Sequence, residues 1–127
     1  MSIPWFNYAG AVVGVLILAQ GAYAQLRPAQ AGTAFGIETS STNPEAVAFV
    51  KVFGSRNMSL GTAILVLFFM DRYFEMGIVI LCLNISSTFD GAVVATDVGG
   101  RRGNVLPHMG SGFVFSLIGG GIVGWYT

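Results

Sequence analysis

Long apolar runs, separated by short polar segments, occupy most of the chain. A transmembrane helix needs about 20 mainly apolar residues, and four of the runs reach that length. They predict membrane spans over residues of about 5–26, 45–70, 74–98 and 107–126. One sizeable connection remains, a loop over residues 27–43. The pattern therefore predicts an all-α, four-helix transmembrane bundle that forms a single domain over residues 1–127.

The composition narrows the class of protein further. Of the 127 residues, 54% are hydrophobic and only 9% are charged, whereas a soluble domain carries about 25% charged residues. Six basic residues balance six acidic ones, which leaves no excess charge for binding nucleic acid. The single cysteine, Cys82, and the single histidine exclude a cysteine metal cluster, haem ligation by two histidines and a di-iron centre. We expect the lipid bilayer as a partner, no nucleic acid, no metal and no cofactor.

Basic residues in the short connections predict the orientation in the membrane. Three arginines, Arg27, Arg101 and Arg102, lie on one face, and Arg72 stands alone on the opposite face. By the positive-inside rule the arginine-rich loops are cytoplasmic and both termini are outside or lumenal. In a eukaryotic cell the membrane would be that of the endoplasmic reticulum.

The first span also has a competing interpretation, because Ala22-Tyr23-Ala24 resembles a signal-peptidase site that follows an apolar stretch. No Lys or Arg precedes Trp5, although a signal peptide normally begins with basic residues. The sequence therefore favours a first helix that is retained.

Small residues at every fourth position mark the last span. In lipid, such residues allow two helix backbones to approach closely. The ladder consists of Gly112, Ser116, Gly120 and Gly124. It has two interpretations, which are packing inside one four-helix bundle and the interface of a homo-oligomer.

Ionisable residues inside apolar spans are costly and mark candidate functional sites. Arg56 lies 14 residues before the predicted end of the second span, roughly 21 Å along a helix. Asp90 lies 16 residues into the third span, which crosses in the opposite direction and so reaches a similar depth. His108 begins the fourth span on that same face. These three residues are therefore expected to lie in one layer near the cytoplasmic face.

Helical spacing places further polar groups near this layer. Ser86, Asp90 and Asp97 are separated by four and seven positions and so share one stripe of a helix, and Asn57 adds an amide beside Arg56. We expect Asn57, Ser86 and Asp97 to be substrate-binding residues of a buried polar pocket. The simpler alternative is a salt bridge between Arg56 and Asp90 that only joins the two spans.

A pocket of this composition would support acid–base chemistry without a metal. His108 would be the general acid or base, Asp90 its partner or a second acid, and Arg56 would stabilise an enolate or carboxylate. The leading hypothesis is therefore a cofactor-independent enzyme that acts on a lipophilic small molecule. A non-catalytic membrane subunit or scaffold is the second hypothesis, and an oligomeric carrier or channel is the third.

Several short motifs resemble those of one family. They are Leu26-Arg27-Pro28, Phe35-Gly36, Gly54-Ser55-Arg56-Asn57-Met58-Ser59-Leu60-Gly61, Asp90-Gly91-Ala92 and His108-Met109-Gly110. Together they resemble the domain of unknown function 4267 family, small four-span membrane proteins of bacteria and fungi, over residues of about 20–122.

The resemblance implies that Arg56, Asp90 and His108 are the polar positions of the family. The family usually has Arg-Asp where this chain has Arg56-Asn57, so one carboxylate is missing here. The fungal proteins resemble small membrane enzymes of natural-product pathways. The resemblance thus implies a cyclase or isomerase of secondary metabolism.

Overall fold

Five helices make up the protein in a computed structural model that describes residues 4–96 and 102–127. They are α1 (Trp5–Leu26), α2 (Pro28–Phe35), α3 (Pro44–Phe69), α4 (Tyr73–Thr96) and α5 (Arg102–Tyr126). The described residues contain no strand. Four helices, all except α2, are long and apolar enough to cross a bilayer. The prediction of an all-α bundle with four spanning helices is therefore confirmed.

The start of α3 shows how the sequence sets the helix boundaries. Pro44 occupies the first helical position, where its missing N–H is harmless. The Asn43 side chain accepts a hydrogen bond of 3.1 Å from the backbone nitrogen of Ala46, which satisfies one of the otherwise free N–H groups. Glu45 in the first turn adds a favourable charge at the positive end of the helix.

Two boundaries differ from the prediction. The connection over residues 27–43 is not a plain loop, because α2 forms within it between Pro28 at its first position and Gly36 at its C-cap. Gly36 has a φ of 108°, a left-handed conformation that glycine adopts at little cost. The last helix begins at Arg102 rather than at Pro107, so the proline lies inside α5.

Glycines bring α1 and α3 into direct backbone contact. A Cβ atom added at Gly21 would lie 2.5 Å from the carbonyl oxygen of Gly54, and one added at Gly61 would lie 2.7 Å from that of Gly14. The two helices run antiparallel. Gly14 and Gly21 are seven residues apart in α1, and Gly54 and Gly61 are seven residues apart in α3, so both contacts lie on one seam. We call these four glycines the α1–α3 seam.

Glycines also join α4 to α5, at positions that differ from the predicted ladder. A Cβ atom at Gly119 would lie 3.0 Å from the carbonyl oxygen of Gly77. Of the ladder residues, Gly112 faces α4, but Gly120 and Gly124 have no described atom within 4 Å of a Cβ position. Packing inside the bundle is therefore the wrong interpretation for Gly120 and Gly124, which lie on its outer surface.

The two helix pairs meet in an apolar core at the end of the bundle that holds the α3–α4 turn. Its fully buried large side chains are Ile64, Met76, Ile80 and Ile122. Met76, Ile80 and Ile122 lie close to Gly10 of α1, where an added Cβ atom would be 2.7 Å from the Met76 side chain. The opposite end of the bundle is less densely filled and contains the cavity.

Candidate ligand-binding cavity

A cavity of about 290 Å³ lies between the two helix pairs, at the end of the bundle where α1 ends and α3 begins. Residues from all five helices line it. Most of the wall is apolar, and its larger members are Phe35, Phe49, Phe53, Leu60, Leu83 and Phe115. This volume is near the lower end of the range for small-molecule sites, about 300–1,000 Å³.

Helix α2 closes one side of the cavity and is fixed there by His108. The Nε2 atom of His108 lies 2.8 Å from the carbonyl oxygen of Phe35, the last residue of α2. The two rings also pack edge to face, with centroids 4.5 Å apart, and the Phe35 ring contacts Phe53 at 4.8 Å. Because a carbonyl oxygen only accepts, Nε2 carries the proton of this hydrogen bond. In the neutral imidazole, Nδ1 is therefore the basic nitrogen.

Arg56 of α3 and Asp90 of α4 form the charged part of the wall. A guanidinium nitrogen of Arg56 lies 3.9 Å from a carboxylate oxygen of Asp90, and their side chains are 49% and 26% exposed. That distance is too long for a hydrogen bond. Among the residues that the structure describes, neither side chain makes a hydrogen bond, although Arg56 stacks on Phe53 at 5.0 Å. The pair therefore keeps donors and acceptors available to a ligand.

Two further polar groups belong to the wall. The buried Asn57 amide donates a hydrogen bond of 3.2 Å to the Gln20 side chain of α1. The Ser87 hydroxyl donates to the backbone carbonyl oxygen of His108, and Ser111 donates to the same oxygen at 2.8 Å. The two serine hydroxyls are 2.7 Å apart. These contacts hold the backbone of α5 at the histidine against α4.

The structure brings together most of the residues that were predicted from the sequence. Five of the six line the cavity, and they are Arg56, Asn57, Ser86, Asp90 and His108. Asp97 lies outside the described residues. The predicted salt bridge joins α3 and α4, but through a long contact rather than a bonded pair.

Sequence reasoning missed the Phe35 carbonyl, the Ser87–Ser111 pair and Gln20. Ser87, Ser111 and Gln20 carry a signal, since polar side chains inside apolar spans are candidate functional residues. The helix that supplies the Phe35 carbonyl could also have been found from the sequence, because Pro28 and Gly36 are residues with which a helix commonly begins and ends.

The arrangement can move protons and hold a negative oxygen. His108 offers a basic nitrogen, Asp90 a carboxylate and Arg56 a permanent cation, all on the wall of one mainly apolar cavity. In the described part of the chain, no group of three or more His, Cys, Asp or Glu residues could hold a metal ion. The side chains of this wall are thus suited to acid–base chemistry.

The fold and this cavity define a multi-pass membrane-helical protein with a polar site between two glycine-packed helix pairs. A family model described as "Domain of unknown function (DUF4267)" matches residues 14–122, and the chain belongs to that family. The resemblance drawn from the short motifs is thereby confirmed. No curated protein and no solved structure matches the chain.

Proposed function

We propose that the protein is a cofactor-independent isomerase or cyclase that takes a lipophilic small molecule into the cavity. One observation carries the proposal: the three ionisable residues Arg56, Asp90 and His108 line the same mainly apolar cavity. A structural salt bridge alone would need neither the space beside it nor the histidine. A membrane location gives such an enzyme direct access to a substrate dissolved in the bilayer.

The hydrogen bond of His108 supports a role for its Nδ1 atom. With Nε2 donating to the Phe35 carbonyl oxygen at 2.8 Å, Nδ1 is free to take a proton from a carbon beside a substrate carbonyl. The C–H electrons form an enolate, whose oxygen Arg56 stabilises. The Asp90 carboxylate stabilises the imidazolium that forms at His108, which then returns its proton to a different atom of the substrate, so that both residues end in their starting protonation states. Nothing is gained or lost, so the substrate and the product have the same elemental formula.

This conserved formula gives the decisive experiment. In a strain from which the gene has been deleted, we expect one lipophilic compound to disappear and an isomer of identical mass to accumulate, as seen by chromatography with accurate mass. Wild-type protein restores the product, whereas His108→Ala and Asp90→Asn do not, although both variants insert into the membrane. Thr88→Ala provides the matched control, because Thr88 is exposed on α4 and does not line the cavity.

A non-catalytic subunit or scaffold is the second candidate, and the outward position of Gly120 and Gly124 favours it. It predicts that His108→Ala restores the product as well as wild type does. The enzyme proposal would be overturned by two results together. The deletion strain would lose the product without accumulating an isomer of the same mass, and His108→Ala would restore the product fully.

A further inference from the structure

The charged pair of the cavity wall has unused hydrogen-bonding capacity of two opposite kinds. The Arg56 guanidinium only donates and the ionised Asp90 carboxylate only accepts. Neither makes a hydrogen bond to a described residue, and their nearest atoms are 3.9 Å apart. A ligand that satisfies both must present an acceptor to Arg56 and a donor to Asp90 within a few ångströms of each other.

The balance of charge selects a neutral ligand. Arg56 and Asp90 contribute one charge of each sign, so an anionic head that approaches Arg56 also meets the carboxylate of Asp90. Two like charges at about 4 Å repel each other strongly in a medium of low dielectric constant. A cationic head meets the corresponding repulsion from Arg56. A neutral head with a carbonyl next to a hydroxyl avoids both and uses both partners.

The rest of the wall fixes the size and the character of the ligand body. A volume of about 290 Å³ is near the lower end of the range for small-molecule sites, about 300–1,000 Å³, and so favours a compact ligand. The rings of Phe35 and Phe53 pack against each other beside the charged pair, and Phe115 lines the same cavity. Faces and edges of this kind suit a flat, unsaturated or aromatic body.

We infer that the cavity binds a compact, neutral hydroxy-carbonyl compound, with its carbonyl oxygen on Arg56 and its hydroxyl on Asp90. The inference rests on the proposed function for the cavity being a lipophilic ligand site, and it names the substrate class. A carbonyl oxygen bound to Arg56 is also the oxygen that would become an enolate.

A series of matched probes tests this inference on the full chain in nanodiscs. The probes are α-hydroxyacetophenone, acetophenone, 2-phenylethanol, ethylbenzene and benzoate, and binding is measured by ligand-detected NMR with empty nanodiscs subtracted. We expect α-hydroxyacetophenone to bind at least about tenfold more tightly than the probes that lack either oxygen group, since hydrogen bonds to charged partners discriminate by that order. Benzoate should bind more weakly than acetophenone.

Two variants assign the contacts. Asp90→Asn should reduce the preference for α-hydroxyacetophenone over acetophenone, and Arg56→Gln should reduce its preference over 2-phenylethanol. Asp71→Asn and Arg72→Gln are matched controls, because these residues lie in the turn between α3 and α4, away from the cavity. Both controls should keep the wild-type preferences. The wild-type series stands on its own if a cavity variant fails to fold.

The outcomes separate this inference from the proposed function. If ethylbenzene or benzoate binds as tightly as α-hydroxyacetophenone, the hydroxy-carbonyl class is wrong while a lipophilic site remains. If Asp90→Asn and Asp71→Asn give the same preferences as wild type, the assignment of the hydroxyl to Asp90 is wrong. If no probe shows saturable binding above empty nanodiscs, the inference and the ligand site of the proposed function both fail.

Discussion

Replacing Gly21 by alanine tests whether direct backbone contact in the α1–α3 seam holds the bundle together. The added Cβ atom would lie 2.5 Å from the carbonyl oxygen of Gly54 and 2.7 Å from the backbone nitrogen of Met58. Both are backbone atoms of α3, so the conflict is relieved only if the two helices move apart. Overpacking of this kind costs about 1–3 kcal/mol.

The same substitution also has a favourable effect that must be subtracted. Alanine favours a helix by up to about 1 kcal/mol relative to glycine. We therefore expect Gly21→Ala to lower the free energy of unfolding by up to about 2 kcal/mol. Gly120→Ala isolates the favourable part, because no described atom lies within 4 Å of its Cβ position. That variant should match wild type or exceed it by up to about 1 kcal/mol.

The assay is reversible unfolding in mixed micelles with increasing sodium dodecyl sulfate, followed by far-ultraviolet circular dichroism. The expected result is a transition at a lower dodecyl sulfate fraction for Gly21→Ala than for wild type, and an unchanged or higher one for Gly120→Ala. Equal unfolding free energies for the two variants would refute the seam, because the helix propensity changes equally in both.

Three further predictions concern α2, the outer surface and the orientation. Gly36→Ala places a Cβ atom on a backbone with a φ of 108° and should lower the unfolding free energy by about 1 kcal/mol in the same assay. An unchanged unfolding free energy would contradict the expected backbone strain at this position. If α5 forms a homo-oligomer, Gly120→Leu should convert the oligomer to monomer on size exclusion in mild detergent without unfolding it, and an unchanged elution volume would exclude that interface. In a Cys82→Ser background, Ser41→Cys should resist an impermeant maleimide added outside cells while Asp71→Cys reacts; the reverse pattern would invert the orientation.

The spanning helices could be predicted because each needs only a long apolar run. Helix α1 has the same bounds as the first predicted span, 5–26. Helix α3 starts at Pro44, one residue before the start of the second predicted span. Helix α2 was missed since its eight residues are too few for a clear apolar period. Its end signals, Pro28 and Gly36, were nevertheless present. Pro107 misled the prediction for α5, because proline is common at helix starts but lies inside this helix.

The depth of a residue along a helix is easier to predict than the direction in which it faces. Counting residues along antiparallel spans placed Arg56, Asp90 and His108 in one layer, and all three line one cavity. The facing direction of the α5 glycines was not fixed by counting, since the sequence does not show where the neighbouring helix lies. The contact with α4 uses Gly112 and Gly119, seven residues apart, whereas Gly120 and Gly124 of the ladder face away from it. The Phe35 carbonyl was out of reach because backbone atoms carry no residue-specific signal.

The distribution of side chains separates the part of the bundle that stabilises the fold from the part that holds the cavity. Ile64, Met76, Ile80 and Ile122 are fully buried at the end near the α3–α4 turn, where loss of packing is most costly. At the other end, the charged side chains of Arg56 and Asp90 line a cavity of about 290 Å³ and are 49% and 26% exposed. Polar substitutions of similar size at these two residues therefore remove few packing contacts. An activity lost in such a variant reports on the chemistry of the cavity rather than on unfolding of the bundle.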